Sequence, residues 1–260
     1  MRLTGMTYNL KNPVDTDARA WPARRPLLAE QLRRAGADVI GTQEGHHQQL
    51  REIAADSGRY ELIGAGREGG GRGEWAGVLY DPAVLTPVDA QHFWLSDTPE
   101  RIGSRTPSWG NTVIRMAGLV RFRRSDGGEL YWLDTHLDHK SAIARERGAA
   151  LIAERLGALD PAVPLVVSGD FNCTPDEKPH RILTDAGLVD AWEAVGAPPQ
   201  GTYGGWRAPG PDSDRIDWIL TRGLGVRGAR IGDFHDGESW PSDHVPVLVE
   251  LDLPDPAPER

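Results

Sequence analysis

The most informative segment of the chain reads Val163-Pro164-Leu165-Val166-Val167-Ser168-Gly169-Asp170-Phe171-Asn172. Its continuous apolar run from Val163 to Ser168 is typical of a strand that is buried on both faces of a sheet. The run ends in Asp170 and Asn172, whose side chains offer hard oxygen atoms. Such ligands suit Mg²⁺ or Mn²⁺ rather than zinc. The segment therefore predicts a central strand with a polar site at its end.

Strand-like and helix-like segments alternate on both sides of this run. Turn residues and hydrophobic periodicity predict strands over residues 3–10, 38–42, 60–64, 75–80, 84–95, 116–122, 130–137, 163–168, 216–220 and 245–251. They predict helices over residues 26–35, 46–55, 141–159 and 181–186. Polar residues fall repeatedly at strand ends, which is where layered α/β proteins build their sites.

Composition limits the class of protein. With Lys+Arg at 29 and Asp+Glu at 38, the net charge of −9 argues against a large basic surface for nucleic acid. The single cysteine, Cys173, excludes a disulfide framework. No apolar run approaches the roughly 20 residues of a membrane helix, and the start lacks the apolar core of a secretory signal. We expect a cytoplasmic monomer without membrane insertion, with one domain over residues 1–253 and a Pro-rich tail over residues 254–260.

Six short segments each place an acid, an amide or an imidazole after an apolar strand or in a polar break. They are Thr7-Tyr8-Asn9-Leu10, Gly41-Thr42-Gln43-Glu44, Asp134-Thr135-His136-Leu137-Asp138-His139, Ser168-Gly169-Asp170-Phe171-Asn172, Arg215-Ile216-Asp217-Trp218 and Ser242-Asp243-His244. Taken singly, each has an ordinary structural explanation as a turn, a helix cap or a surface ion pair. Their joint occurrence in one order is far more specific than any one of them.

In this order the six segments resemble the endonuclease/exonuclease/phosphatase superfamily. That superfamily includes pancreatic deoxyribonuclease, apurinic endonucleases, inositol-polyphosphate 5-phosphatases, neutral sphingomyelinases and deadenylases. The similarity runs from Asn9 to His244, and the stretch from Gly66 to Glu100 also resembles a bacterial and fungal subgroup. The resemblance implies an α/β fold, a four-layer sandwich of two mixed β-sheets packed face to face between helices.

The resemblance also implies a metal site and a site for water. Glu44 would be the principal metal ligand, with Asn9 and Asp243 nearby. The cofactor would be Mg²⁺, with Mn²⁺ as a substitute. Asp170 would orient or deprotonate the attacking water, and Asn172 would donate a hydrogen bond to the phosphoryl oxygens.

Two imidazoles complete the implied catalytic set. By similarity, His136 and His244 would flank the scissile phosphate. Asp217 would pair with His244, and Glu74 would pair with His136. A nearby carboxylate raises the pKa of an imidazole, so each histidine held in this way would be a cationic donor near neutral pH.

The residues expected around the substrate come from loops and arginines. Trp109 and Trp206 lie in Gly/Pro-rich loops and are candidates for a substrate wall. The candidates for phosphate contacts are Arg67, Arg72, Arg105, Arg115 and Arg145, with a structural salt bridge as an equal alternative for Arg145.

The resulting hypothesis is a Mg²⁺-dependent phosphoester hydrolase that activates water for in-line attack. The acidic balance favours a small phosphorylated metabolite, sugar or lipid headgroup as substrate. A DNase-like or RNase-like phosphodiesterase that acts on nucleic acid is the alternative. A binding protein that has lost catalysis on the same scaffold is a more remote one, since none of the catalytic residue types is missing.

Overall fold

The computed structural model describes residues 1–256, which form twelve strands and five α-helices. The strands are β1 (Arg2–Asn9), β2 (Val39–Gln43), β3 (Glu61–Gly66), β4 (Trp75–Tyr80), β5 (Leu85–Trp94), β6 (Met116–Arg124), β7 (Glu129–His136), β8 (Leu165–Asp170), β9 (Val189–Asp190), β10 (Asp217–Arg222), β11 (Gly225–Ile231) and β12 (Val247–Asp252). The helices are α1 (Trp21–Ala35), α2 (His47–Ser57), α3 (Ala142–Gly157), α4 (Lys178–Asp185) and α5 (Ala191–Ala194). Of the predicted tail, residues 257–260 lie outside the described part.

The strands form two mixed sheets of six strands each. The first has the spatial order β11-β12-β1-β2-β4-β3, and the second has the order β5-β6-β7-β8-β10-β9. Each sheet contains one parallel pair, β1 with β2 and β7 with β8, among antiparallel pairs. Helices α1 and α2 pack on the outer face of the first sheet, and α3 and α4 pack on the outer face of the second. The predicted four-layer α/β sandwich is confirmed.

The apolar run around Val166 forms the middle of the second sheet. All six residues of β8 are buried, because one face points to the first sheet and the other to α3 and α4. The layer between the sheets is built from large apolar side chains such as Trp132, Phe122 and Val249. This double burial explains why the strand has no polar alternation in the sequence.

Four elements differ from the sequence prediction, and two of them, β9 and α5, are short segments of two and four residues that were not predicted. Helix α1 begins at Trp21 rather than Pro26, because Pro22 occupies the first turn, where a missing N–H costs nothing, and Pro26 lies on the exposed face. Strand β11 was not predicted. It is an edge strand that carries Arg227 and Arg230 and pairs only with β12, so it has no continuous apolar pattern.

The two sheets come very close at Gly41. A Cβ atom at this position would lie 2.2 Å from both Asp134 Oδ1 and Ser168 Oγ on the opposite sheet. Only glycine leaves room for these polar side chains between β2 and the β7–β8 pair.

We expect Gly41→Ala to lower the free energy of unfolding by about 1–3 kcal/mol, because the added methyl group overpacks the layer between the sheets. Urea denaturation measures the change. Gly157→Ala is the matched control, since nothing lies within 4 Å of a Cβ at the end of α3. Equal stability of the two variants would contradict the close approach.

Candidate active site

Strand register brings three of the predicted residues side by side. In the second sheet, Asp170 lies opposite His136 on one neighbouring strand and opposite Asp217 on the other. In the first sheet, Asn9 ends β1, and Glu44 follows β2 with a left-handed φ of 61°. The two sheets therefore meet at one edge with their polar strand ends facing each other.

A cavity of about 470 Å³ opens at this edge. Nine of the predicted residues line it: Glu44, Arg67, Glu74, Arg115, His136, Asp170, Asn172, Asp243 and His244. Two more, Asn9 and Asp217, are buried and hydrogen-bonded to lining residues. Six lining residues were not among the predicted site residues: Lys11, Asn12, Val113, His139, Tyr203 and Ile216.

Asp170 is the central carboxyl group. Its Oδ2 accepts a hydrogen bond from Asn9 Nδ2 at 2.9 Å, and its Oδ1 accepts one from the backbone N–H of Asn172 at 2.9 Å. The Nε2 atoms of His136 and His244 lie 3.4 and 3.8 Å from Oδ2. Burial, followed by the charge of Asp217, raises the pKa of Asp170 to about 7. The carboxylate is therefore a stronger base than an exposed aspartate.

His244 is held by Asp217, as predicted. Its Nδ1 lies 2.9 Å from Asp217 Oδ2, and both side chains are buried. Burial alone would lower the pKa of His244, but the charge of Asp217 and the hydrogen bond to it outweigh burial and raise the pKa to about 10. The imidazole is a cation at neutral pH, with Nε2 directed into the site.

His136 differs from this pattern, and the predicted Glu74–His136 pair is wrong. Glu74 Oε2 lies 2.5 Å from Arg67 Nη1 and 3.5 Å from Arg115 Nη1. The Nδ1 atom of His136 is buried and has no hydrogen-bond partner among residues 1–256. Burial, Arg115 and His244 hold the pKa of His136 well below its ordinary range. Asp170 thus has one cationic and one neutral imidazole beside it.

Asn172 presents a neutral donor. One N–H of its amide donates to the carbonyl oxygen of Leu137 at 3.0 Å, which leaves the other N–H for a ligand. Its backbone has a left-handed φ of 52°, a conformation that asparagine tolerates better than most residues.

The carboxylates on the first-sheet side create a position that requires positive charge. Lys11 Nζ lies 3.3 Å from Asp243 Oδ2 and interacts with Glu44. Burial would raise the pKa of Glu44, but Lys11 and the amides of Asn12 and Asn9 outweigh it and lower the pKa. The ammonium group of Lys11 lies where these carboxylates stabilise positive charge. Their hard oxygen atoms are the ligands that Mg²⁺ or Mn²⁺ prefers.

A second set of ligand atoms lies deeper in the site. Asp170, Asp217 and His244 each place one ligand atom within 4.8 Å of the others. Asp217 Oδ1 is buried and has no partner among residues 1–256. Because His244 is protonated and paired with Asp217, its imidazole does not offer a lone pair to an ion. The carboxylates of Glu44 and Asp243, both beside Lys11, are the hard donors that fit a divalent cation.

Asn9, which was expected near the metal, lies between two carboxylates of the site. Its Nδ2 donates to Asp170 at 2.9 Å and to Glu44 at 3.2 Å. Its side-chain oxygen accepts the backbone N–H of Lys11 at 3.0 Å. In this arrangement Asn9 holds the two carboxylates in place.

The predicted tryptophan wall is wrong for both residues. Trp109 is buried, and its indole N–H donates to Asp97 Oδ1 at 3.1 Å, away from the cavity lining. Trp206 packs against the guanidinium groups of Arg19 and Arg24. The aromatic residue in the lining is Tyr203, which is 44% exposed and whose ring centroid lies 5.0 Å from that of His244. Its position in the same Gly-rich loop as Trp206 was the available sequence signal.

Comparison with known proteins adds a family match and structural neighbours. Residues 6–244 match the profile of the Endonuclease/Exonuclease/phosphatase family. A protein of that family from Bacteroides thetaiotaomicron has 28% identity and a TM-score of 0.89, with 98% of each chain covered. A mannosyl-6-phosphatase from the same organism has 29% identity and a TM-score of 0.87, over 96% of this chain and 100% of the other.

A more distant structure shares the fold. D. rerio TDP2 with a single-strand DNA product has 15% identity and a TM-score of 0.77, over 97% of this chain and 99% of the other. A search of curated protein sequences finds no significant match.

We expect Glu44→Gln to weaken Mn²⁺ binding by at least about tenfold, because the site loses a ligand charge. Lys11→Met should instead strengthen Mn²⁺ binding, since it removes a cation from the same carboxylates. Isothermal titration calorimetry measures both, with Glu250→Gln, an exposed residue on β12, as the control. Unchanged affinity in both variants would place the cation elsewhere.

Proposed function

Because this chain belongs to the Endonuclease/Exonuclease/phosphatase family, we propose that it hydrolyses a small phosphorylated metabolite, sugar or lipid headgroup with Mg²⁺ or Mn²⁺ as cofactor. The observation that carries the proposal is the cluster around Asp170. A buried carboxyl group with a pKa of about 7 faces one cationic and one neutral imidazole in a cavity that also contains Arg67 and Arg115.

The groups of the first sheet would neutralise the negative charge of the substrate. A divalent cation held by Glu44 and Asp243 would neutralise negative charge on the phosphoryl oxygens. Asn9 holds Glu44 and Asp170 at a fixed separation through its two hydrogen bonds. Lys11 supplies further positive charge beside these carboxylates.

The groups of the second sheet act on water and on the phosphoryl group. Asp170 accepts a proton from the attacking water, for which a raised pKa makes it suitable. His244, charged and fixed by Asp217, and the free N–H of Asn172 donate to the oxygens on which negative charge develops. Because no covalent intermediate is required, positioning and electrostatic stabilisation are sufficient.

Size and charge favour a small substrate. A cavity of about 470 Å³ falls within the range of roughly 300–1,000 Å³ that is typical of small-molecule sites. A structural neighbour at 29% identity is a mannosyl-6-phosphatase, which supports a sugar phosphate. We further propose that the enzyme acts as a monomer in the cytoplasm.

A nuclease is the second candidate. Tyr203 stands exposed at the rim beside His244, where its ring could stack on a base. The net charge of −9 argues against it, because nucleic-acid binding depends on neutralising phosphates with basic groups.

We expect Asp170→Asn and His244→Gln each to lower kcat by about 10²–10⁴, because each removes a group that transfers a proton or stabilises charge. Steady-state hydrolysis of 4-nitrophenyl phosphate with Mg²⁺ measures the loss. The controls are Asp89→Asn and His235→Gln, two exposed residues outside the cavity. Turnover within a few-fold of wild type in the site variants, with correct folding, would rule out these roles.

Metal removal and salt dependence separate the two candidate functions. We expect EDTA to abolish activity, and Mg²⁺ or Mn²⁺ to restore it. Mannose 6-phosphate and other small monoesters should be cleaved faster than bis(4-nitrophenyl) phosphate or a single-stranded oligonucleotide, with little change between 50 and 200 mM salt. Oligonucleotide cleavage that falls steeply over this range, on the order of 10³-fold, would instead identify a nuclease.

A further inference from the structure

A second cavity adjoins the catalytic cavity. It has a volume of about 550 Å³ and shares two wall residues, Arg67 and Val113, with its neighbour. The rest of its wall comes from Glu68 and from the segment between β5 and β6, including Thr98, Arg101–Arg105 and Thr112. A ligand that occupies the catalytic cavity can therefore extend past Arg67 into this space.

The second cavity is basic. Arg67, Arg101 and Arg105 contribute three guanidinium groups to its wall, against the single carboxylate of Glu68. Arg101 and Arg105 are exposed, and neither forms an ion pair with a carboxylate in the part of the chain that the structure describes. Their charges are thus available to a ligand, although the chain as a whole is acidic.

Hydrogen bonds fix the wall before any ligand binds. Ser104 Oγ lies 2.6 Å from Ser96 Oγ and donates to the carbonyl oxygen of Thr98 at 2.8 Å. Arg105 Nη1 donates to the carbonyl oxygen of Thr112 at 2.5 Å. A wall held in this way loses little conformational entropy on binding, which favours affinity.

Arg67, the charged residue of the two that the cavities share, is also fixed. Its Nη1 lies 2.5 Å from Glu74 Oε2, and its carbonyl oxygen accepts the indole N–H of Trp94 at 2.6 Å. It is therefore a rigid partition between the two cavities.

We propose that the second cavity binds a second anionic group of the substrate, a phosphate or a carboxylate, while the first phosphate lies in the catalytic cavity. Guanidinium groups recognise both anions with paired, charge-assisted hydrogen bonds. The preferred substrate is then a small molecule with two anionic ends. This inference rests on the proposed function, because it assigns the cleaved phosphate to the catalytic cavity.

The test compares phosphate monoesters of α,ω-alkanediols with the bisphosphates of the same diols, from three to eight carbons. We expect the bisphosphate to have a kcat/KM about tenfold higher at one optimal length. The double variant Arg101→Gln/Arg105→Gln should lose this preference and keep the kcat/KM of the monophosphate. Arg123→Gln, an exposed arginine at the far end of β6, is the matched control. Equal kcat/KM for both series at every length would overturn the proposal.

A binding measurement separates this inference from the proposed function. The wild-type protein is titrated calorimetrically with alkane bisphosphonates and monophosphonates, which are not hydrolysed. Tighter binding of the bisphosphonate that depends on Arg101 and Arg105 supports the second site even if no monoester is cleaved. Equal binding overturns it even if monoesters are good substrates.

Two further arms identify the anion. ω-Carboxyalkyl phosphates that match the bisphosphates in kcat/KM would show that the site accepts either anion, and weaker ones would show that it selects phosphate. A preference for oligonucleotides over every bisphosphate, lost in the double variant, would instead assign the cavity to a nucleic-acid backbone and overturn the small-molecule proposal.

Discussion

Buried hydrogen bonds between the two sheets fix the position of the catalytic side chains. Gln43 Nε2 of the first sheet donates to Asp134 Oδ1 of the second at 2.7 Å, and Asn9 Nδ2 of the first donates to Asp170 Oδ2 of the second at 2.9 Å. Within the second sheet, Ser168 Oγ also donates to Asp134 Oδ1, at 2.7 Å. Asp134 is fully buried, and burial raises its pKa well above the ordinary range. A polar group in this layer must keep its partners, because an unpaired one costs about 1–3 kcal/mol. The sheets cannot slip without breaking these bonds, and the cavity lies directly beyond them.

Because the side chains are fixed in this way, two histidines close to the same aspartates have different charge states. Asp217 makes His244 a cation, whereas His136, beside Arg115 and without a second acidic partner, stays neutral. The same packing keeps Asp170 within reach of both imidazoles. The protein is a phosphoester hydrolase of the Endonuclease/Exonuclease/phosphatase family. Its net charge of −9 argues against a large polyanionic ligand, whereas the local charge of the cavity determines which small anions it attracts.

The sequence predicted those parts of the site that follow from strand ends. A continuous apolar run located β8, and register with its neighbours then brought His136 and Asp217 beside Asp170. The hydrogen-bond and ion-pair partners of loop residues depend on where each side chain points, which the sequence does not show. Glu74 lies just before β4, the position on which its predicted pairing with His136 was based. Its carboxylate instead pairs with Arg67 and Arg115.

The prediction that Trp109 and Trp206 form a substrate wall was wrong for a related reason. A loop rich in glycine and proline is usually exposed, yet Trp109 is buried because the segment between β5 and β6 folds back on itself. That folding uses serine and threonine hydroxyls, which carry no distinctive pattern in the sequence. Lys11, by contrast, lies two residues after Asn9, so its closeness to the site could be read from the sequence. That its side chain faces Asp243 could not, because a single lysine beside a motif has no particular direction.

The residues proposed to perform the reaction and those proposed to select the substrate lie in different parts of the fold. The groups that act on the phosphoryl ester, Asp170, Asn172 and His244, lie at the end of β8, just after it, or just before β12. Arg101 and Arg105 belong instead to the segment between β5 and β6. Strand ends cannot move without disturbing the buried bonds between the sheets. The loop is stabilised mainly by its own hydrogen bonds, so its residues can change with little effect on the catalytic geometry. Substrate preference in this protein is therefore expected to depend on the loop wall, and the reaction on the sheets.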